Sequence, residues 1–90
     1  MPRYLVERRF PDGLHLPMDD AGKKLCLDIV DTNANEGVTW VHSYVTDDKE
    51  RTFCVYDGPT PEAIRRAAGG NGLPVDTITE VRVLDPYFYA

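Results

Sequence analysis

Apolar and polar residues alternate with a period of two in four stretches of this chain and recur at helical spacing in two others. Arg3 to Arg9 sets Tyr4 and Val6 against Leu5 and Glu7 and stops at the turn signal Pro11-Asp12-Gly13, which predicts a first strand. From Asp19 the spacing of Leu25, Cys26, Ile29 and Val30 predicts a helix that Asn35-Glu36-Gly37 closes. The stretch VTWVHSYV, Val38 to Val45, and RTFCVY, beginning at Arg51, predict a hairpin around Thr46-Asp47-Asp48-Lys49-Glu50. Thr60 as N-cap, Pro61 at the first helical position and the stripe Ile64, Ala67, Ala68 predict a second helix, with Gly69-Gly70 as its stop. A fourth strand is expected over Thr77 to Leu84, ended by Asp85-Pro86 ahead of the aromatic tail Tyr87-Phe88-Tyr89.

The order βαββαβ predicts an α+β, ferredoxin-like domain spanning residues 1–90: a four-stranded antiparallel sheet with two helices on one face. Parity then sorts the strand residues. Tyr4, Val6, Val41, Ser43, Val45, Phe53, Val55, Val81 and Val83 form a nearly apolar set suited to the helix side. The other set mixes Leu5, Glu7, Arg9, Trp40, His42, Tyr44, Thr52, Cys54, Tyr56, Ile78, Glu80 and Arg82, and is expected on the open face. This sorting requires an odd-length hairpin loop that pairs His42 directly with Cys54; a two-residue turn would instead oppose His42 to Val55 and bury Thr52, Cys54 and Tyr56. An aromatic-rich face with no helix over it is an association surface, so a homodimer through Trp40, Tyr44 and Tyr56 is expected.

Ninety residues bury a modest core, which a partner subunit would extend. With 15 acidic against 10 basic residues, the net charge of −5 argues against nucleic acid or anionic lipid as partner and permits cations. Met1-Pro-Arg-Tyr lacks the start of a signal peptide and no apolar run reaches membrane-spanning length, so a cytoplasmic protein is expected. Cys26 and Cys54, far apart and outside any CxxC pattern, read as free thiols.

On the expected open face, His42 and Cys54 are the softest donors, and Glu7 and Glu80 from the first and last strands complete an N/O/S set. Such a set suits a borderline divalent transition metal such as nickel, zinc or copper. Other uses compete for the same side chains. His42 can be a hydrogen-bonded interfacial imidazole and Cys54 a small buried residue, and on residue type alone these structural uses are the commoner ones; Glu7 can equally be an ion-pair partner of Arg9 or Arg82. Cys26 belongs to a helix stripe and His15 to a Pro-flanked loop. A thiol beside an imidazole also permits nucleophilic chemistry, though Cys54 lies mid-strand, away from any helix N-terminus. Gly69-Gly70-Asn71-Gly72 follows a helix, so it is no phosphate loop.

Taken together, VTWVHSYVTDDKERTFCVYDGPTPEAIRRAA, GLPVDTITEVRVLDP and the first strand YLVERRF resemble a family of small nickel-binding proteins with a ferredoxin-like α+β fold that associate as dimers. The resemblance implies nickel binding or nickel response and carries no catalytic activity with it. The two alternatives from other classes are a dimeric α+β barrel enzyme, with His42 as general base toward a small organic substrate, and a plain protein-interaction module.

Overall fold

The computed structural model describes residues 1–14 and 19–87. Its elements run β1 (Arg3–Arg9), α1 (Asp20–Asn35), β2 (Thr39–Val45), β3 (Arg51–Asp57), α2 (Pro61–Asn71) and β4 (Thr77–Val81). The antiparallel sheet has the order β2-β3-β1-β4, so the ferredoxin-like arrangement is present, with β2 and β4 as edges. His15, Phe88 and Tyr89 lie outside the described residues.

Helix α1 begins where Asp19 Oδ1 accepts the backbone N–H groups of Ala21 and Gly22, at 3.1 and 3.2 Å. Its inward stripe is Gly22, Cys26, Ile29 and Asn33, while Leu25 and Val30 are exposed. The expected stripe of Leu25, Cys26, Ile29 and Val30 is thus rotated, because small Gly22 and hydrogen-bonded Asn33 take the close-packed positions. Asn33 Oδ1 accepts from Asn71 Nδ2 at 3.0 Å, and Arg66 Nε donates to Glu36 Oε2 at 2.9 Å, joining the two helices. Thr60 Oγ1 caps α2 by accepting the Ala63 N–H at 3.1 Å. That helix passes through Gly69-Gly70 and stops at Gly72, whose φ of 67° supplies the left-handed turn. Gly58 has a different reason to be glycine: a Cβ there would sit 3.3 Å from Val38 Cγ2, beneath the start of α2.

The hairpin departs from expectation. Four loop residues, 47–50, separate Thr46 from Arg51, with Lys49 at φ 61°. Asp48 holds this loop: its Oδ1 accepts from Thr46 Oγ1 at 2.7 Å and from the Glu50 N–H at 2.9 Å, and Thr46 Oγ1 accepts the Arg51 N–H at 3.1 Å. An even loop pairs His42 with Val55, Ser43 with Cys54, Tyr44 with Phe53 and Val45 with Thr52. One position before His42 a bulge at Val41 shifts the register, and Trp40 pairs with Tyr56.

Two faces follow from these pairings. Under the helices run the rows Val45–Thr52–Arg8, Ser43–Cys54–Val6–Ile78 and Trp40–Tyr56–Tyr4–Glu80. The open face carries Tyr44–Phe53–Glu7–Thr77, His42–Val55–Leu5–Thr79 and Thr39–Asp57–Arg3–Val81. The β3 and β4 assignments are therefore reversed relative to the sequence reading. Thr52, Cys54, Tyr56 and Ile78 face the core, and Phe53, Val55 and Val81 face outward. The physical causes are the even loop for β3 and, for β4, a ladder that ends at Val81, which leaves Ile78 as the apolar residue that matters. The core joins Tyr4, Val6, Val38, Cys54, Tyr56, Ala63, Ile64 and Ala67.

Hydrogen bonds from the Thr46 hydroxyl, and then from the Glu50 N–H, hold the Asp48 carboxyl below its usual range. Because the folded group titrates below the unfolded one, its stabilisation is present above about pH 4 and is lost as pH falls through the folded value. Asp48→Asn should flatten the acid-side fall in stability, measured as urea midpoint against pH. An unaltered profile would show that these loop bonds are not held in solution.

Candidate functional site

Strand β2 is where chemistry and fold meet. Trp40 turns toward the helices, and its indole N–H donates to Ser43 Oγ at 2.8 Å across the bulge. His42 and Tyr44 turn the other way, with ring centroids 5.2 Å apart and planes at 86°, an edge-to-face pair. His42 is exposed and Tyr44 retains 63% of its surface. Around them Leu5, Phe53 and Val55 form a half-buried apolar floor that no helix covers. The aromatic load on this face is smaller than the sequence implies, since Tyr56 is buried and Trp40 packs against the core.

The four candidate donors divide two and two. His42 and Glu7 share the open face but sit on β2 and β1, with β3 between them; two inter-strand spacings amount to about 9 to 10 Å. Glu7 Oε2 accepts the Thr77 hydroxyl at 2.8 Å and lines a groove of about 300 Å³ with Arg9, Arg51 and Asp76. Cys54 is buried on the opposite face, its Sγ 3.7 Å from Thr52 Oγ1. Glu80 also belongs to the helix side, beside Tyr4, whose phenol is pushed up by burial and then by the Glu80 and Glu62 carboxylates. It lines a cleft of about 470 Å³ at the far end of β1 and β4, with Arg3, Asp57 and Arg82. Arg3 Nε donates to Asp57 Oδ1 at 2.8 Å and holds that carboxyl low.

Among the described residues, no three His, Cys, Asp or Glu side chains come together as a group able to hold an ion. One chain thus offers an open-face imidazole and a carboxylate, donor types that suit nickel, copper or zinc, and only part of a coordination shell. A model of the family described as "Nickel responsive protein SCO4226-like" matches residues 4–81. The chain belongs to that family. Its fold is also that of the crystal structure of SCO4226 from Streptomyces coelicolor A3(2), at a TM-score of 0.72 and 20% identity, over 92% of this chain and 99% of that one. No curated protein matches it. The family is described as nickel responsive, and among the described residues the chain's imidazole is His42, exposed on the open face. No helix among the described residues is long and apolar enough to cross a membrane.

Sequence reasoning passed over two features. Arg8 continues the inward row of Tyr4 and Val6 and is buried, a position that the parity of β1 by itself assigns. A mostly apolar cavity lies under α1, lined by Arg8, Cys26, Trp40, Cys54 and Tyr56 among others, and His42 is not among its lining residues. The enzymatic alternative places His42 as general base on the sheet face that dimerisation would enclose, and in one chain that face is open.

The face assignment has a chemical consequence. Cys26 is half-buried and Cys54 is 6% exposed, both as free thiols. An aromatic disulfide reagent should therefore label Cys26 first in the native protein and reach Cys54 only at the rate of opening. Equal labelling rates, compared in Cys26→Ser and Cys54→Ser, would return Cys54 to the open face.

Proposed function

We propose that this protein binds nickel as part of a response to the metal, as a homodimer whose helix-free sheet faces meet, with the ion held at that face. The observation that carries the reading is an exposed imidazole, His42, on the uncovered sheet face of a chain that belongs to a nickel responsive family. His42 is the anchoring donor, and Glu7 is the carboxylate on the same face. Because the described residues of one chain contribute too few donors there, the remaining positions are filled from the second copy or by water. Cys54 and Glu80, on the helix side, take no part.

The apolar surroundings support association. Leu5, Phe53, Val55 and Tyr44 present a floor that a second copy can cover, which extends the limited core of a 90-residue chain. A cytoplasmic, reducing setting fits the two free thiols.

Two experiments test the reading. In a Ni²⁺ titration of tag-free protein followed by calorimetry, binding should saturate, and His42→Ala should weaken it by about tenfold or more. The nickel complex should lack a thiolate charge-transfer band; a band that vanishes in Cys54→Ser would overturn the oxygen and nitrogen shell. Tyr44→Glu places a charge on the proposed interface and should yield monomer in sedimentation velocity. A dimer unchanged by that substitution would place the contact on another surface.

A further inference from the structure

Arg8 is a charged residue in the core. It is 3% exposed, lies in the row Val45–Thr52–Arg8 beneath the helices, and its Nε has no partner among the described residues. Its Nη1 donates to Tyr56 Oη at 3.3 Å, and its guanidinium carbon sits 5.6 Å from the centre of the Tyr56 ring. Both contacts are to a neutral group: burial raises the Tyr56 phenol above its ordinary value, so it stays protonated at neutral pH. The ion pairs among the described residues belong to Arg3 and Arg66. A buried guanidinium without a counter-charge is among the costliest arrangements a small core can hold.

Arg8 lines a cavity of about 170 Å³ between α1 and the sheet, and it also borders the groove of about 300 Å³ that Glu7, Arg9, Arg51 and Asp76 share. Phe10, Leu25, Ile29, Trp40 and Leu73 wall the cavity, and among the described residues Arg8 is its single charged lining residue. An apolar chamber with one cation selects a ligand with one negative charge and an apolar body. The planar guanidinium matches a carboxylate, which can take the Nε–H and an Nη–H side by side. The volume sets the size: a cavity of about 150 Å³ lined by aliphatic and aromatic side chains accepts benzene. A single ring or a short branched chain therefore fits, and a long acyl chain does not. Phosphate fits poorly, since a dianion would face one guanidinium and hydrocarbon.

We propose that the cavity under α1 is a binding site for a small aromatic or branched monocarboxylate, anchored by Arg8. It is separate from the open-face metal reading, because the cavity and His42 lie on opposite sides of the sheet. The ligand's carboxylate supplies the counter-charge that the fold withholds from Arg8, and its body occupies the space beside Trp40.

The test uses the nickel-free protein and benzoate as probe, read by the fluorescence of Trp40, the single tryptophan of the chain. Benzoate should change the emission saturably, benzamide should bind about tenfold more weakly or worse, and inorganic phosphate should give no saturable change. Arg8→Met should weaken benzoate by about tenfold or more while the free variant melts no lower than the parent, since an apolar side chain of similar length replaces an uncompensated charge. Nickel titration of Arg8→Met should match the parent, which separates this site from the metal. Absence of saturable benzoate binding to the parent overturns the proposal whether or not the variant folds. Equal affinity of the parent for benzoate and benzamide, or retained benzoate affinity in Arg8→Met, overturns it as well.

Discussion

The register of the β2–β3 hairpin governs the chemistry of this molecule. In a strand the side-chain period is two, so the number of residues in the loop decides which half of β3 faces the core. Thr46, Asp48 and the left-handed Lys49 close a loop of even length, and that single choice sends Thr52, Cys54 and Tyr56 inward and Phe53 and Val55 outward. Shifting the pairing by one residue would exchange the thiol for a valine at the core and bring Cys54 opposite His42. The Val41 bulge is the second half of the device, because it returns Trp40 to the helix side while leaving His42 and Tyr44 on the open one. Edge strands commonly carry such irregularities, and here the bulge also blunts a strand that has no neighbour on its outer side.

With the faces settled, each side of the sheet acquires a distinct chemistry. The open side combines an exposed imidazole with a hydrophobic floor and a carboxylate held by a threonine hydroxyl. Its donors are hard or borderline, nitrogen and oxygen, and those among the described residues are spread over strands too far apart to enclose an ion within one chain. The side under the helices holds the thiols, the buried tyrosines and the guanidinium. Softness and burial, which the sequence reading united with the imidazole, belong to the opposite surface.

The inner side is not a uniformly apolar core. A 90-residue chain has little burial to spare, yet it places Arg8 among Thr52, Tyr56 and Trp40 and leaves room beside them. Arg8 leans on the Tyr56 ring and hydroxyl, contacts that moderate the penalty of burying a charge without neutralising it. Such a residue lowers the stability of the isolated chain and makes the inner side receptive to an anion. Helix α1, with Gly22 and Asn33 at its tightest positions and Leu25 and Val30 exposed, forms the roof of this region.

The sequence by itself determined the element order, the hairpin, the start of each helix and the ferredoxin-like α+β architecture, because these rest on local signals: Asp19 at the opening of the first helix, Thr60 as cap and Pro61 at the start of the second, and apolar periodicity along each segment. The family, too, was legible in the run from Trp40 to Tyr56 and its surroundings. Face assignment was another matter. Both halves of β3 contain apolar residues, Phe53 and Val55 against Cys54 and Tyr56, so hydrophobic patterning could not discriminate between them. The decision lay in loop geometry and in a bulge that composition does not announce. His42 and Glu7 stayed together because β1 and the outer half of β2 kept the expected parity, whereas Cys54 and Glu80 left that group with β3 and β4. Only the tertiary structure could reveal Arg8 as a buried, uncompensated charge beside a cavity, since that depends on what every neighbouring element places around it.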